Sequence, residues 1–234
     1  MNVKGIIFDK DGTLMEYEAF WVKIAEAAVT DALVKIGADT ALLYDIMKAS
    51  GCEDGVAAAD GVMCSGTYKD FSDIMWEILD KHGTSVEKDV LLKQITESYY
   101  ASFSMGEVVP VCDNLRDVLV KIKSKGIKIA LVTNDSVKGT EHCLEILGIS
   151  HLFDKVYADD GIAPAKPDPY RINQFCSEEN ISPENVIVVG DTIADMLFAK
   201  NAGVAAVGVA KNEHNRKILE QYAPVIGNVS ELAL

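Results

Sequence analysis

The sequence is short of positive charge: 22 lysines and arginines stand against 36 aspartates and glutamates, for a formal net charge of −14 at pH 7. Nucleic acids and anionic membranes attract basic surfaces, so neither is expected as the main partner. The deficit does not exclude a small anionic ligand. A local cation can override the global field, and a bound divalent metal ion is the simplest such source. Histidine is scarce, and His82, His142, His151 and His214 lack metal-ligand spacing, which argues against zinc. Cysteine is sparse and unpaired. Cys52, Cys64, Cys112, Cys143 and Cys176 are odd in number and irregularly scattered, a pattern expected of reduced thiols in a cytoplasmic protein. No segment approaches the ~20 apolar residues of a membrane span, and the apolar stretch near the N-terminus is too short for a signal peptide. Internal repeats and low-complexity segments are also missing.

What is present is apolar material for a full core, 49% of 234 residues, enough for one large domain or two small ones. The opening VKGIIFD is a short apolar run of the kind that forms a strand buried on both faces. It ends in the polar turn DKDGTL. Helical spacing follows over about 19–36, then over about 40–49, 69–81 and 87–103. Between the second and third of these, GCEDGVAAADGVMCSGTY is rich in glycine and small residues and reads as a long loop. Beyond residue 106 the pattern alternates. A helix over about 113–125, stopped by Gly126, precedes the apolar strand IKIALVTND and a helix to Leu147. KVYADD, NVIVVGD and VAAVGVA read as further strands, with helices at about 169–178 and 193–201. Alternating strands and helices imply a parallel sheet covered on both sides. The four consecutive helical stretches break that alternation and read as an insertion. The expectation is an α/β chain: a Rossmann-like, doubly wound parallel sheet from 1–14 and 106–234, with an inserted α-helical cap domain over 15–105.

Open parallel sheets bind ligands beyond the carboxyl ends of their strands. Three polar clusters fall at such ends: Asp9 with Asp11, Thr133 to Asp135, and Asp191 to Asp195. Asp9 and Asp11 flank Lys10 directly after a buried strand. A carboxylate there can attack phosphorus to form an aspartyl-phosphate, and two close carboxylates favour a cation between them or a proton on one. Magnesium suits such a site because it takes oxygen ligands from one or two carboxylates plus phosphate. Each residue alone also has a structural reading. Asp9 and Asp11 fit a capped turn; Thr133, Asp135 or Ser136 fits a helix cap; Asp195 fits an acid complementing a helix dipole.

FDKDGTL resembles the first signature of the haloacid dehalogenase superfamily of phosphotransferases. Three further signatures follow in order: the hydroxyl residue of LVTND, the lysine of AKPDPY and the acidic pair of VVGDTIAD. The resemblance implies a phosphatase in which Asp9 is nucleophile and magnesium ligand. It implies that Asp11 is the general acid and base, binding the metal through its backbone carbonyl. Thr133, helped by the N–H of Asn134, would hold a phosphoryl oxygen. Lys166 would neutralise phosphate charge and hold Asp9. Asp191 would be a further metal ligand, and Asp195 a ligand directly or through water. Gly12 and Thr13 would shape the turn. Lys10 departs mildly from a position that is often apolar in the helical-cap branch.

The loop DGVMCSGTYKDF resembles the matching region of phosphoglycolate-phosphatase-like members, with Ser65, Thr67, Tyr68 and Lys69 as polar candidates for substrate binding. The expected substrate is a small phosphorylated metabolite such as a short acid, sugar or nucleotide, and the expected state a monomer or homodimer. A phosphomutase of the beta-phosphoglucomutase kind shares both aspartates and is the alternative. A non-catalytic binding protein is a third reading, set against the presence of Asp9, Asp11, Thr133, Lys166 and Asp191 together.

Overall fold

The computed structural model describes residues 2–232, and the side chain of Ser65 lies outside that description. The chain divides into two compact units, Met1–Glu16 with Val108–Leu234, and Tyr17–Glu107.

In chain order the elements begin with β1 (Gly5–Phe8). The second unit follows. A π-helical turn (Glu18–Val22) leads into α1 (Lys23–Lys35), and a 3-10 turn leads into α2 (Leu43–Ala49). Next come the short strands β2 (Cys52–Glu53) and β3 (Val56–Ala57), then α3 (Val62–Ser65), α4 (Tyr68–Lys81) and α5 (Lys88–Ser102). The first unit resumes with α6 (Leu115–Ser124), β4 (Lys128–Ser136), α7 (Val137–Leu147) and β5 (Lys155–Asp159). It ends with α8 (Tyr170–Glu179), β6 (Val186–Gly190), α9 (Ile193–Ala202), β7 (Ala205–Val209), α10 (Glu213–Leu219) and β8 (Val225–Ile226).

The six-stranded sheet runs β5-β4-β1-β6-β7-β8, parallel throughout. Every residue of β1 and β6 is buried, which explains their unbroken apolar character. Alternation sorts them onto two cores. Ile6 and Phe8 pack with Ile129, Leu131 and the α6 residues Leu115 and Leu119. Ile7 points the other way, to Ala130, Val188, Phe175 of α8 and Phe198 of α9. Burying such a side chain stabilises the fold by about 1.5–3 kcal/mol. The order reverses on either side of β1, so the switch point lies where β1, β4 and β6 end. The pairing of β4 with β5 shifts register between Val132 and Ser136, an irregularity of the sort that re-aims side chains near sites.

In the second unit, α1 carries a stripe of Ile24, Ala28 and Ala32 beside Ala25, Val29 and Leu33, all buried. That three-to-four spacing is the helix period. It packs against α5, where the Ser98 hydroxyl donates to Asp31 at 2.6 Å. Phe20, Trp21, Tyr99 and Phe103 form a ring cluster with centroids 5.1–6.2 Å apart, extended by Tyr68, Phe71 and Tyr100. The segment expected as one long loop instead holds the β2-β3 hairpin and α3. The elements are two to four residues long, too short to leave a periodic signal. No helix among the described residues is long and apolar enough to cross a membrane.

Candidate active site

Asp9 follows β1 directly, and its N–H donates to the Val189 carbonyl of β6 at 2.8 Å, which holds it at the switch point. The turn after it is closed by Gly12 N–H to the Met15 carbonyl at 2.7 Å and Leu14 N–H to the Lys10 carbonyl at 2.9 Å. Gly12 has φ +79°, and a Cβ there would stand 2.0 Å from Asp191 Oδ2. Both the left-handed backbone and the approach of Asp191 therefore require glycine. Thr13 donates its hydroxyl to Asp191 Oδ1 at 3.3 Å.

Lys166 lies in the loop between β5 and α8, yet its ammonium reaches Asp9 Oδ1 at 2.6 Å and Asp195 Oδ1 at 2.7 Å with little exposure. Asn134 sets the loop by gripping both backbone groups of Lys166. Its Oδ1 accepts from the lysine N–H at 2.9 Å, and its Nδ2 donates to the lysine carbonyl at 3.2 Å. Asp195 closes a capping box at the start of α9: Oδ2 accepts from the Thr192 N–H at 3.1 Å and the Thr192 hydroxyl at 2.6 Å. Both of its oxygens thus accept protein hydrogen bonds, Oδ2 from Thr192 at the helix start and Oδ1 from the Lys166 ammonium.

Asp9, Asp191 and Asp195 each offer a carboxylate oxygen, all within 4.8 Å of one another. Burial pushes Asp9 up to about 7; Lys166 opposes the rise, while Asp195 and Asp11 add to it. Asp191 is held well above the usual carboxylate range by burial and then by Asp9 and Asp195. Burial works against the charge of Lys166, but Asp195 and Asp9 outweigh it and hold the ammonium above its ordinary value. Three crowded carboxylates against one ammonium form an electrostatically incomplete cluster. Its donors are hard oxygens without histidine or cysteine, so the residues fit a small divalent cation of the magnesium type.

Thr133 is 5% exposed, and its Oγ accepts from the Asp135 N–H at 3.1 Å. The cap of α7 belongs to Ser136, whose Oγ accepts from the Gly139 N–H at 3.2 Å. The Asp11 carboxylate stands outside the three-carboxylate cluster and meets Lys10 Nζ at 2.7 Å. In the second unit, Thr67 is the N-cap of α4 in a capping box with Asp70, Lys69 pairs with Asp73 at 2.5 Å, and Tyr68 meets Tyr99 edge-on. Sequence reasoning did not find the Asn134 clamp or the partners of Lys10, because each depends on a contact between segments distant in the chain.

Residues 3–203 match the profile of the haloacid dehalogenase-like hydrolases. A phosphoglycolate phosphatase of Vibrio cholerae is 28% identical over 210 residues, 89% of this chain and 84% of that protein. One of Haemophilus influenzae is 31% identical over 120 residues, 50% of this chain; the match spans only about half of that relative's length, 54%. Among solved structures, a predicted phosphoglycolate phosphatase from Haemophilus somnus superposes with a TM-score of 0.75 at 20% identity, over 99% of this chain and 96% of that one. At that identity the likeness establishes the fold.

Proposed function

The chain belongs to the haloacid dehalogenase-like hydrolases, and from that premise we propose that it is a magnesium-dependent phosphatase of small phosphomonoesters, working through a phosphorylated Asp9. The observation that carries the reading is the Lys166 ammonium shared between Asp9 and Asp195, with Asp191 completing the carboxylate cluster.

An oxygen of the Asp9 carboxylate attacks phosphorus as the ester P–O bond breaks. The leaving oxygen takes its proton from the Asp11 carboxyl. Water then attacks the phosphorus of the acyl phosphate and gives its proton to the Asp11 carboxylate. Phosphate leaves and Asp9 is restored. Proton transfer by a positioned group contributes about 10²–10⁴-fold. Lys166 and the Thr133 hydroxyl, with the Asn134 N–H, hold the phosphoryl oxygens, and such transfer depends mainly on positioning and fixed charge. Magnesium, held by Asp9, the Asp11 carbonyl and Asp191, with Asp195 bound directly or through water, would neutralise charge on the phosphoryl group.

The second unit serves as the cap that selects the substrate, with Thr67 among its candidate contacts. The phosphoglycolate phosphatase names of the relatives support a short phosphorylated acid as the first compound to try, beside sugar and nucleotide phosphates. The odd count and irregular spacing of the cysteines suit a cytoplasmic location.

Phosphate release from a panel of phosphorylated metabolites, with and without magnesium, tests the proposal beside Asp9→Asn. Release that requires magnesium and disappears in Asp9→Asn is expected. More than a few per cent of wild-type turnover in that variant would remove the covalent route, and isomerised product without free phosphate would indicate a mutase.

A further inference from the structure

Lys10 has no exposed surface, and lysine is almost never fully buried unless paired. Its ammonium lies 2.7 Å from Asp11 Oδ1, 3.1 Å from Asp135 Oδ2 and 3.7 Å from Cys143 Sγ. Burial works against its charge, yet Asp11 and Asp135 outweigh burial and keep the ammonium charged. Asp135 is itself anchored. Its Oδ1 accepts from the Ser136 N–H at 2.7 Å and the Ser136 hydroxyl at 3.3 Å, at the start of α7. Gly139, one turn into α7, leaves the room it needs, since a Cβ there would stand 2.6 Å from Asp135 Oδ2. The lysine is therefore gripped on one side by a carboxylate fixed to the core and presents its charge on the other side to Asp11. A buried ion pair is weak evidence for added stability, because apolar replacements of similar volume are often at least as stable.

We propose that Lys10 is a positioning residue for Asp11: the buried ammonium, anchored on Asp135, holds Asp11 Oδ1 so that the carboxyl group exchanges protons with leaving group and water through Oδ2. The inference rests on the phosphatase reading above. An aspartate without this partner samples other rotamers, and a displacement of about 1 Å in a reacting group costs about 10²-fold in rate.

The test compares wild type with Lys10→Met/Asp135→Leu, which removes both buried charges so that neither is stranded. The parameter is kcat/KM, which reports formation of the acyl phosphate, for two substrates. One is the preferred alkyl phosphate of the panel, whose leaving oxygen needs a proton; the other is p-nitrophenyl phosphate, whose leaving group does not. A fall of about 10–100-fold for the alkyl ester and under about threefold for the nitrophenyl ester is expected, with Asp11→Asn costing correspondingly less in the double variant than in wild type. Equal falls for both substrates, or effects that multiply with Asp11→Asn, would overturn the inference. A second readout is independent of turnover. In protein labelled with ¹⁵N-lysine, a slowly exchanging ammonium signal should vanish in the double variant and move in Asp11→Asn. A signal indifferent to Asp11→Asn would also overturn it. Wild type inactive on both esters sinks the phosphatase reading and this inference with it. An active wild type matched by the double variant sinks this inference alone.

Discussion

Replacing Lys166 by methionine keeps most of the stem's volume and removes the ammonium 2.6 Å from Asp9 and 2.7 Å from Asp195. Near pH 8 Asp9, with its value at about 7, is mostly ionised in the metal-free protein. The variant then leaves buried carboxylates facing one another with no ammonium between them, and breaking a buried pair in this way costs about 3–5 kcal/mol. Protonation sets a ceiling. Neutralising one aspartate of ordinary value 3.8 near pH 8 costs about 6 kcal/mol. Near pH 5 Asp9 already holds a proton in the folded protein, so the lost ammonium balanced less negative charge, and the ceiling for neutralising an ordinary aspartate falls to about 1.6 kcal/mol. The sign follows from linkage. A carboxyl raised on folding contributes stability that is present below 3.8 and lost as pH rises through about 7. Lys166 opposes that rise, so its removal deepens the loss at high pH. Urea unfolding with chelator should therefore give a destabilisation of about 3–5 kcal/mol near pH 8 and under about 2 kcal/mol near pH 5. A small loss of the same size at both pH values would refute the electrostatic account of the cluster.

Two further outcomes follow from the same geometry. Gly12→Ala places a Cβ at a left-handed position and 2.0 Å from the Asp191 carboxylate; calorimetry should show magnesium affinity reduced about tenfold or more, with a stability loss of about 1–3 kcal/mol. Protons compete with the metal for Asp9 and Asp191, both raised by burial. Magnesium affinity measured by titration should hence weaken steadily as pH falls below about 7, and a flat profile between about pH 8 and 5.5 would contradict the assignment of these ligands.

Much of the α/β core is legible along the chain, for a physical reason. Strands buried on both faces, such as Gly5–Phe8 and Val186–Gly190, must be apolar throughout, and their polar ends then stand out at Asp9 and Asp191. The helices of the second unit are legible by their three-to-four spacing, as in Ile24, Ala28 and Ala32. Val225–Ile226, only half-buried and two residues long, leaves no such mark, and neither does the Cys52–Ala57 hairpin.

The candidate site divides in the same way. The order and type of its residues are properties of the chain: Asp9 and Asp11 follow β1, Asp191 follows β6, Thr133 lies near the end of β4, Lys166 in the loop before α8 and Asp195 in the first turn of α9. Which of them touch is not. Lys166 meets Asp9 across 157 positions, Lys10 meets Asp135 across 125, and Asn134 grips the Lys166 backbone across 32. A lysine flanked by two aspartates has the same local chemistry whether it faces solvent or core. Only the packing of α7 against β4, with glycine at 139 to admit the Asp135 carboxylate, turned Lys10 inward and made it a buried partner of Asp11. Sequence alone determined the longer elements and most of the chemical inventory around them. Tertiary structure decided the pairings, because charge placement in a buried site depends on distances between segments that no local pattern encodes.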